Sequence, residues 1–186
     1  MRDLTNTCLI PGTFDPFTTG HRMIVEKARH LFQHVIIGIA QNPNKGAGMF
    51  DIETRIKAIK AWVDANEYHD VDIVTYDCAT ATYCYNENID YIVRGCRNGS
   101  EFDDEFTNRC INHALSHNKV ETVIIPTSPS ISYISSTVVR ECIKYDLEKW
   151  KSYVPEPSVP ILERAIIEKQ EVSKKFAQLV NSCNKT

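Results

Sequence analysis

The stretch that decides the fold reads Cys8-Leu9-Ile10-Pro11-Gly12-Thr13-Phe14-Asp15-Pro16-Phe17-Thr18-Thr19-Gly20-His21. Three apolar residues run into a Pro-Gly break. After His21 apolar side chains return at Ile24, Val25, Ala28, Leu31 and Phe32, the spacing of a one-faced helix. The stretch therefore predicts strand, glycine turn and helix in immediate succession. Gly12 allows close approach of a ligand to the backbone. Gly20 and His21 fall where a new helix presents unpaired N–H groups and the positive end of its dipole. An imidazole there can donate a hydrogen bond to a phosphate oxygen. A bare Gly-His pair is more often an incidental turn. The eleven residues from Pro11 to His21, directly after a first strand, are far more specific.

Outward from this unit, short Val/Ile-rich runs alternate with helical patterns. Strands are expected at 8–10, 35–40, 71–75, 91–93 and 122–125. Their length and composition suit buried parallel strands. Ile52, Ile56, Ile59, Trp62 and Val63 form a second helical stripe. Further helices are expected over 79–87, 102–117 and 136–145. Five strands alternating with helices predict a doubly wound α/β sheet. Right-handed crossovers place its site at the carboxyl ends of the strands. Pro155, Pro157 and Pro160 close this unit, and a last helix is expected over about 161–180. The chain thus reads as a domain over 1–160 with a helical extension of the same domain over 161–186.

The composition narrows the function classes. The 186 residues suffice for a core without covalent staples. A formal net charge of −3 gives no support for nucleic acid or an anionic membrane as the main partner. No run approaches the roughly 20 apolar residues of a membrane span. The N-terminus lacks the apolar run of a signal peptide. The seven cysteines are odd in number and none has C-x-x-C spacing, so reduced thiols in a cytoplasmic setting are expected.

The string Pro11 to His21, with Thr18-Thr19-Gly20-His21 at its end, resembles the signature of the HxGH nucleotidylyltransferase superfamily. Within it the chain is similar to the phosphopantetheine adenylyltransferase family. The similarity continues through Asn42-Pro43-Asn44-Lys45, Met49-Phe50, Val93-Arg94-Gly95-Cys96-Arg97 and Glu101-Phe102-Asp103-Asp104-Glu105. It closes with Ser132-Tyr133-Ile134-Ser135-Ser136-Thr137-Val138-Val139-Arg140-Glu141. It covers about residues 8–158 and none of the C-terminal tail.

The resemblance implies a Rossmann-like five-stranded sheet and adenylyl transfer from ATP to 4′-phosphopantetheine. It implies that Thr13, Lys45, Thr80 and Arg94 bind the acceptor. It implies that Thr13, Phe14, His21, Gly95, Cys96, Arg97 and Glu105 meet ATP. So would the segment Ile131, Ser132, Tyr133, Ile134, Ser135, Ser136 and Thr137. His21 would be the catalytic residue, stabilising the transition state. Mg²⁺ would serve as cofactor, with no protein ligand named by the sequence. A homo-oligomer, a hexamer by resemblance, and coenzyme A as feedback ligand are further implications.

Elementary chemistry agrees. ATP and an acceptor phosphate are both polyanions, and Lys45 and Arg94 stand after the second strand and at the end of the fourth. Arg offers a planar fork and Lys a mobile point charge. Attack of the acceptor phosphate on the α-phosphorus needs no protein nucleophile, so catalysis should rest on positioning and charge stabilisation. Some positions depart from the family pattern. Glu101 stands where Asp is usual, Asp104 where Tyr is frequent, and Thr137 where a third Ser is common. Small Ala79 and Thr80 replace larger apolar residues beside the pantetheine arm. Two other readings remain open at this point: a nicotinamide or nicotinate mononucleotide adenylyltransferase, and a non-catalytic nucleotide sensor.

Overall fold

The computed structural model describes residues 6–41 and 48–183. Five parallel strands are β1 (Thr7–Gly12), β2 (His34–Ala40), β3 (Val71–Tyr76), β4 (Tyr91–Cys96) and β5 (Glu121–Pro126). The helices are α1 (Thr19–Arg29), α2 (Ile52–Ala65), α3 (Thr80–Asn86), α4 (Gly99–Leu115), α5 (Ser136–Lys144) and α6 (Val159–Cys183). The sheet runs β3-β2-β1-β4-β5. The order reverses between β1 and β4, the place where doubly wound sheets bind ligands.

The ladder explains why a crevice opens there. β1 pairs with β2 over six residues, as does β2 with β3 and β4 with β5. β1 and β4 pair only through Cys8 with Tyr91 and Leu9 with Ile92. Beyond those two pairs the carboxyl ends of the strands separate.

Alternation along the strands sorts the core into two faces. Cys8 and Ile10 of β1 join Val35, Ile37 and Ile39 of β2 beneath α1 and α2, around Val25, Ala28 and Trp62. Leu9 points the other way, against Tyr76, Cys84 and Ile92. Burial pushes the Cys8 and Cys84 thiols up to about 12, so both pack as neutral apolar groups.

Helix starts follow their capping residues. Thr18, Asp51, Asn98 and Ser135 each accept a backbone N–H of the helix they open. α1 ends at Arg29 with His30 as C-cap, so Leu31 leaves the expected stripe and is 57% exposed. α6 begins at Val159, two residues earlier than expected. Pro160 is accepted because a first-turn residue has no intrahelical N–H bond to lose. Leu162 of α6 is fully buried with Phe50, Ala58, Val139, Trp150 and Val154 in a third core cluster. Among the described residues, no helix is long and apolar enough to cross a membrane.

Candidate active site

A cavity of about 550 Å³ occupies the mouth between the separated ends of β1 and β4. That volume suits a small-molecule ligand. Its wall includes Thr13, Phe14 and His21 from the first unit, Thr80 from α3, Arg94, Gly95 and Arg97 from β4 and its exit, and Ser135 and Ser136 at the start of α5.

The turn after β1 is built around Phe14, which has a φ of 47°. That left-handed backbone is unusual for a bulky residue. The Phe14 ring folds back over Gly12, where an added Cβ would lie 2.8 Å from ring carbons. The close approach that Gly12 permits is therefore made by Phe14 itself. With only 2% exposure, Phe14 offers the cavity little beyond its main chain.

His21 is the third residue of α1 and belongs to a capping box. The Thr18 backbone N–H donates to His21 Nδ1 at 3.0 Å, while the His21 N–H donates to Thr18 Oγ1 at 3.4 Å. Because Nδ1 accepts, the neutral ring carries its proton on Nε2. Burial, then the charges of Arg94 and Arg97, push the imidazole pKa down to about 4. Phe14 stands edge-on to the ring at 5.0 Å between centroids, and Phe17 packs at 5.6 Å. His21 is thus an oriented, neutral N–H donor at neutral pH, beside the free amides at the start of α1.

Arg94 crosses the opening between the strands. Its Nη1 donates to the Pro11 carbonyl at 2.9 Å. Its Nε and Nη2 donate to the two Glu105 oxygens at 2.8 and 2.6 Å. Two of the five guanidinium N–H groups remain for an anion in the cavity. Glu105, 8% exposed, thereby aims Arg94, a role the sequence reading did not assign to it. Arg97 is held the same way by Glu101, whose carboxylate also accepts the Arg97 backbone N–H at 2.9 Å. These bonds from Arg97 hold the Glu101 carboxyl below its ordinary range. The sequence signal for both pairs is that Glu101 and Glu105, four apart, follow Arg94 and Arg97 onto the first turns of α4.

The other expected contacts are distributed as follows. Thr80 opens α3 and its hydroxyl lies 3.0 Å from Tyr76 Oη. Gly95 packs against Ile24 of α1, where an added Cβ would come within 3.0 Å. Ile134, Ser135 and Ser136 line the cavity, whereas Ile131, Ser132, Tyr133 and Thr137 stand outside its wall. Tyr133 is 58% exposed, and Thr137 Oγ1 accepts from Arg140. The Cys96 thiol turns away to the Asn98 carbonyl at 3.1 Å. Lys45 lies outside the described residues. Among those residues, no group of three or more His, Cys, Asp or Glu side chains could hold a metal ion.

A switch-point crevice carrying a helix N-terminus, an N–H-donating imidazole and two aimed arginines defines a nucleotidylyltransferase-type α/β protein. Residues 9–142 match the family described as Cytidylyltransferase-like. The chain is 37% identical over 157 residues to the phosphopantetheine adenylyltransferase of Clostridium perfringens, covering 84% of this chain and 93% of that protein. It is 37% identical over 151 residues to the enzyme of the same name from Bacteroides thetaiotaomicron, covering 80% and 94%. The chain belongs to the phosphopantetheine adenylyltransferase family within this Cytidylyltransferase-like group.

Solved structures share the fold at lower identity. One is a putative nicotinate-nucleotide adenylyltransferase from Vibrio parahaemolyticus, at TM-score 0.59 and 17% identity, covering 86% of this chain and 93% of that one. Another is a bifunctional NMN adenylyltransferase/ADP ribose pyrophosphatase from Francisella tularensis, at TM-score 0.60 and 14% identity, covering 94% and 56%.

Proposed function

We propose that the chain transfers the adenylyl group of ATP to 4′-phosphopantetheine, giving dephospho-coenzyme A and pyrophosphate. The observation that carries this reading is the convergence of His21 Nε2–H, the α1 N-terminus and Arg94 on one cavity of phosphate-binding character. An acceptor phosphate oxygen attacks the α-phosphorus, and the bond to the pyrophosphate oxygen breaks. The oxygen is already anionic, so no protein base is required. His21 donates to the α-phosphate as charge grows on it, and it does so without titrating. The free edge of Arg94, with Thr13 and Lys45, orients the acceptor phosphate. Arg97, Ser135 and Ser136 attend the nucleotide.

Mg²⁺ would be carried by the nucleotide and not by a cluster of protein ligands, as that ion often is. Of the three carboxylates described in the cavity wall, Glu101, Asp104 and Glu105, two are committed to arginines, Glu101 to Arg97 and Glu105 to Arg94, which suits this arrangement. The ion's chemistry there would be to offset negative charge on the departing pyrophosphate.

Exposed Phe102 and Phe106, one turn apart on α4, support self-association, with a hexamer as the expected form. Coenzyme A, which contains the product, is the expected feedback ligand. A cytoplasmic setting suits the free Cys8, Cys84 and Cys96 thiols.

The test is pyrophosphate release at fixed ATP and Mg²⁺ with 4′-phosphopantetheine, pantetheine and nicotinamide mononucleotide. Pantetheine should be poor, because the cationic groups would lose their anion at a cost of about 2–5 kcal/mol. 4′-Phosphopantetheine should have the highest kcat/KM. A lead for nicotinamide mononucleotide would keep adenylyl transfer and overturn the acceptor. No pyrophosphate with any acceptor would favour a nucleotide sensor.

A further inference from the structure

Behind the cavity wall, a second set of polar groups ties the Thr13–Asp15 turn to the rest of the molecule. Asp15 is 7% exposed. Its two oxygens accept the backbone N–H groups of Met49 and Phe50, each at 2.8 Å. Gly48 lies so close that a Cβ there would meet Asp15 Oδ2 at 2.3 Å. Only a residue without a side chain fits.

Arg55 of α2 completes the link. Its Nε donates to the Phe50 carbonyl at 2.7 Å and its Nη1 to the Thr13 carbonyl at 3.1 Å. Its Nε also stands 3.9 Å from Asp15 Oδ1. From the far side, Arg140 of α5 donates to the Asp15 carbonyl at 2.6 Å. Neither Asp15 nor Arg55 lines the cavity. Both nevertheless hold the backbone that places Thr13 and Phe14 beside His21.

The turn needs holding, because Phe14 sits in the left-handed region, from which an unbraced chain relaxes. We propose that Asp15 and Arg55 are positioning residues for the transfer reaction. They act through the Thr13 carbonyl and the Met49-Phe50 main chain to fix the phosphate turn at its reacting height. This inference rests on the adenylyl-transfer reading. Arg55 is required as a fork, since one planar group reaches both carbonyls while remaining near Asp15. A lysine supplies a single point donor and cannot span them.

The test compares wild type, Arg55→Lys, Arg55→Ala and Asp15→Asn as full-length chains. Folding is followed by circular dichroism and thermal melting, ATP affinity by calorimetry, and kcat and KM by pyrophosphate release. Arg55→Lys should remain folded, keep its ATP Kd within about threefold, and lose about 10–100-fold in kcat, the pattern of misplacement rather than lost binding. Methylguanidinium added to folded Arg55→Ala should recover part of the lost turnover, which a merely structural role would not allow. Wild-type kcat in folded Arg55→Lys and Asp15→Asn would overturn the inference. So would loss of folding in both, which would make the link structural only. Absence of wild-type turnover would instead defeat the functional reading.

Discussion

The Thr18 backbone N–H and His21 Nδ1 are joined by a 3.0 Å hydrogen bond that fixes the ring tautomer. Protonation of Nδ1 would break that bond and set a cation against Arg94 and Arg97. Burial first, and then the charges of Arg94 and Arg97, lower the pKa from 6.5 to about 4. Between these values an unfolded chain holds a proton that the folded chain refuses. The stability contributed by neutral His21 is therefore complete above pH 6.5 and is lost as pH falls towards 4. NMR titration of the ligand-free protein should show no His21 transition between about pH 8 and 5.5. A midpoint near 6.5 would contradict the assigned environment.

Replacing His21→Ala removes the donor and half of the capping box together. Turnover should fall by about 10²–10³, the scale of one lost oxyanion-type donor. ATP affinity should fall much less. The helix start should lose about 1 kcal/mol. Steady-state kinetics beside thermal melting separate the two effects, and near-normal kcat would refute the catalytic role.

Glu105 gives a test of how Arg94 is aimed. In Glu105→Gln the amide NH₂ would face a guanidinium donor, so the fork loses one of its two bonds. The KM for the acceptor should rise about tenfold, equivalent to about 1.4 kcal/mol, with a smaller change for ATP. The reverse pattern, a raised ATP KM alone, would make Glu105 a nucleotide contact, as the sequence first suggests.

The Gly12–Phe14 packing predicts a particular pair of variants. Gly12→Ala forces a methyl into the Phe14 ring, and overpacking of this kind costs about 1–3 kcal/mol. Gly12→Ala with Phe14→Leu should destabilise less than the sum of the single changes, because the smaller side chain frees the space. Additive losses in a double-mutant cycle would show that the contact is not the reason for glycine.

The last helix should divide at about half of its length. Truncation after Pro160 deletes Leu162, which is fully buried against Phe50 and Ala58. Loss of that side chain alone should cost about 2–5 kcal/mol. Truncation after Gln170 leaves Leu162 and Ile166 in place, and also Lys169, which donates to the Met49 carbonyl at 3.1 Å. The longer form should melt near wild type and turn over normally. A normal melting temperature after the shorter cut would show that Leu162 packing is dispensable.

Much of this molecule was legible in the sequence because its signals are local. The β1–turn–α1 unit carries its own break, cap and periodicity, and the five short Val/Ile runs sufficed for a doubly wound sheet. Leu31 departs from its expected place because periodicity continues past a cap that only the backbone at His30 imposes. Pro160 signals a boundary in the sequence, although a proline in the first turn is compatible with helix. The candidate site was half legible. Many of its cavity-lining residues stand in motifs, but Glu105 aiming Arg94, Phe14 filling the space at Gly12, and Arg55 reaching Thr13 are contacts made in three dimensions. Only the Glu105 contact leaves a trace in residue spacing, through its place after Arg94 and Glu101 on the first turns of α4; the Phe14 contact depends on its left-handed backbone, and the Arg55 contact joins distant segments.

The two-pair junction between β1 and β4 also bears on how the protein deforms. Each flanking junction is fastened by six residue pairs, so the sheet behaves as two stiff ribbons stitched along a short seam. The motion it should resist least is widening or narrowing along that seam, where the Arg94–Pro11 and Lys27–Pro126 bonds tie the two sides. The same motion changes the gap in which two mutually repelling anions must be drawn together. Compliance in the scaffold and approach of the reactants should therefore share a single coordinate.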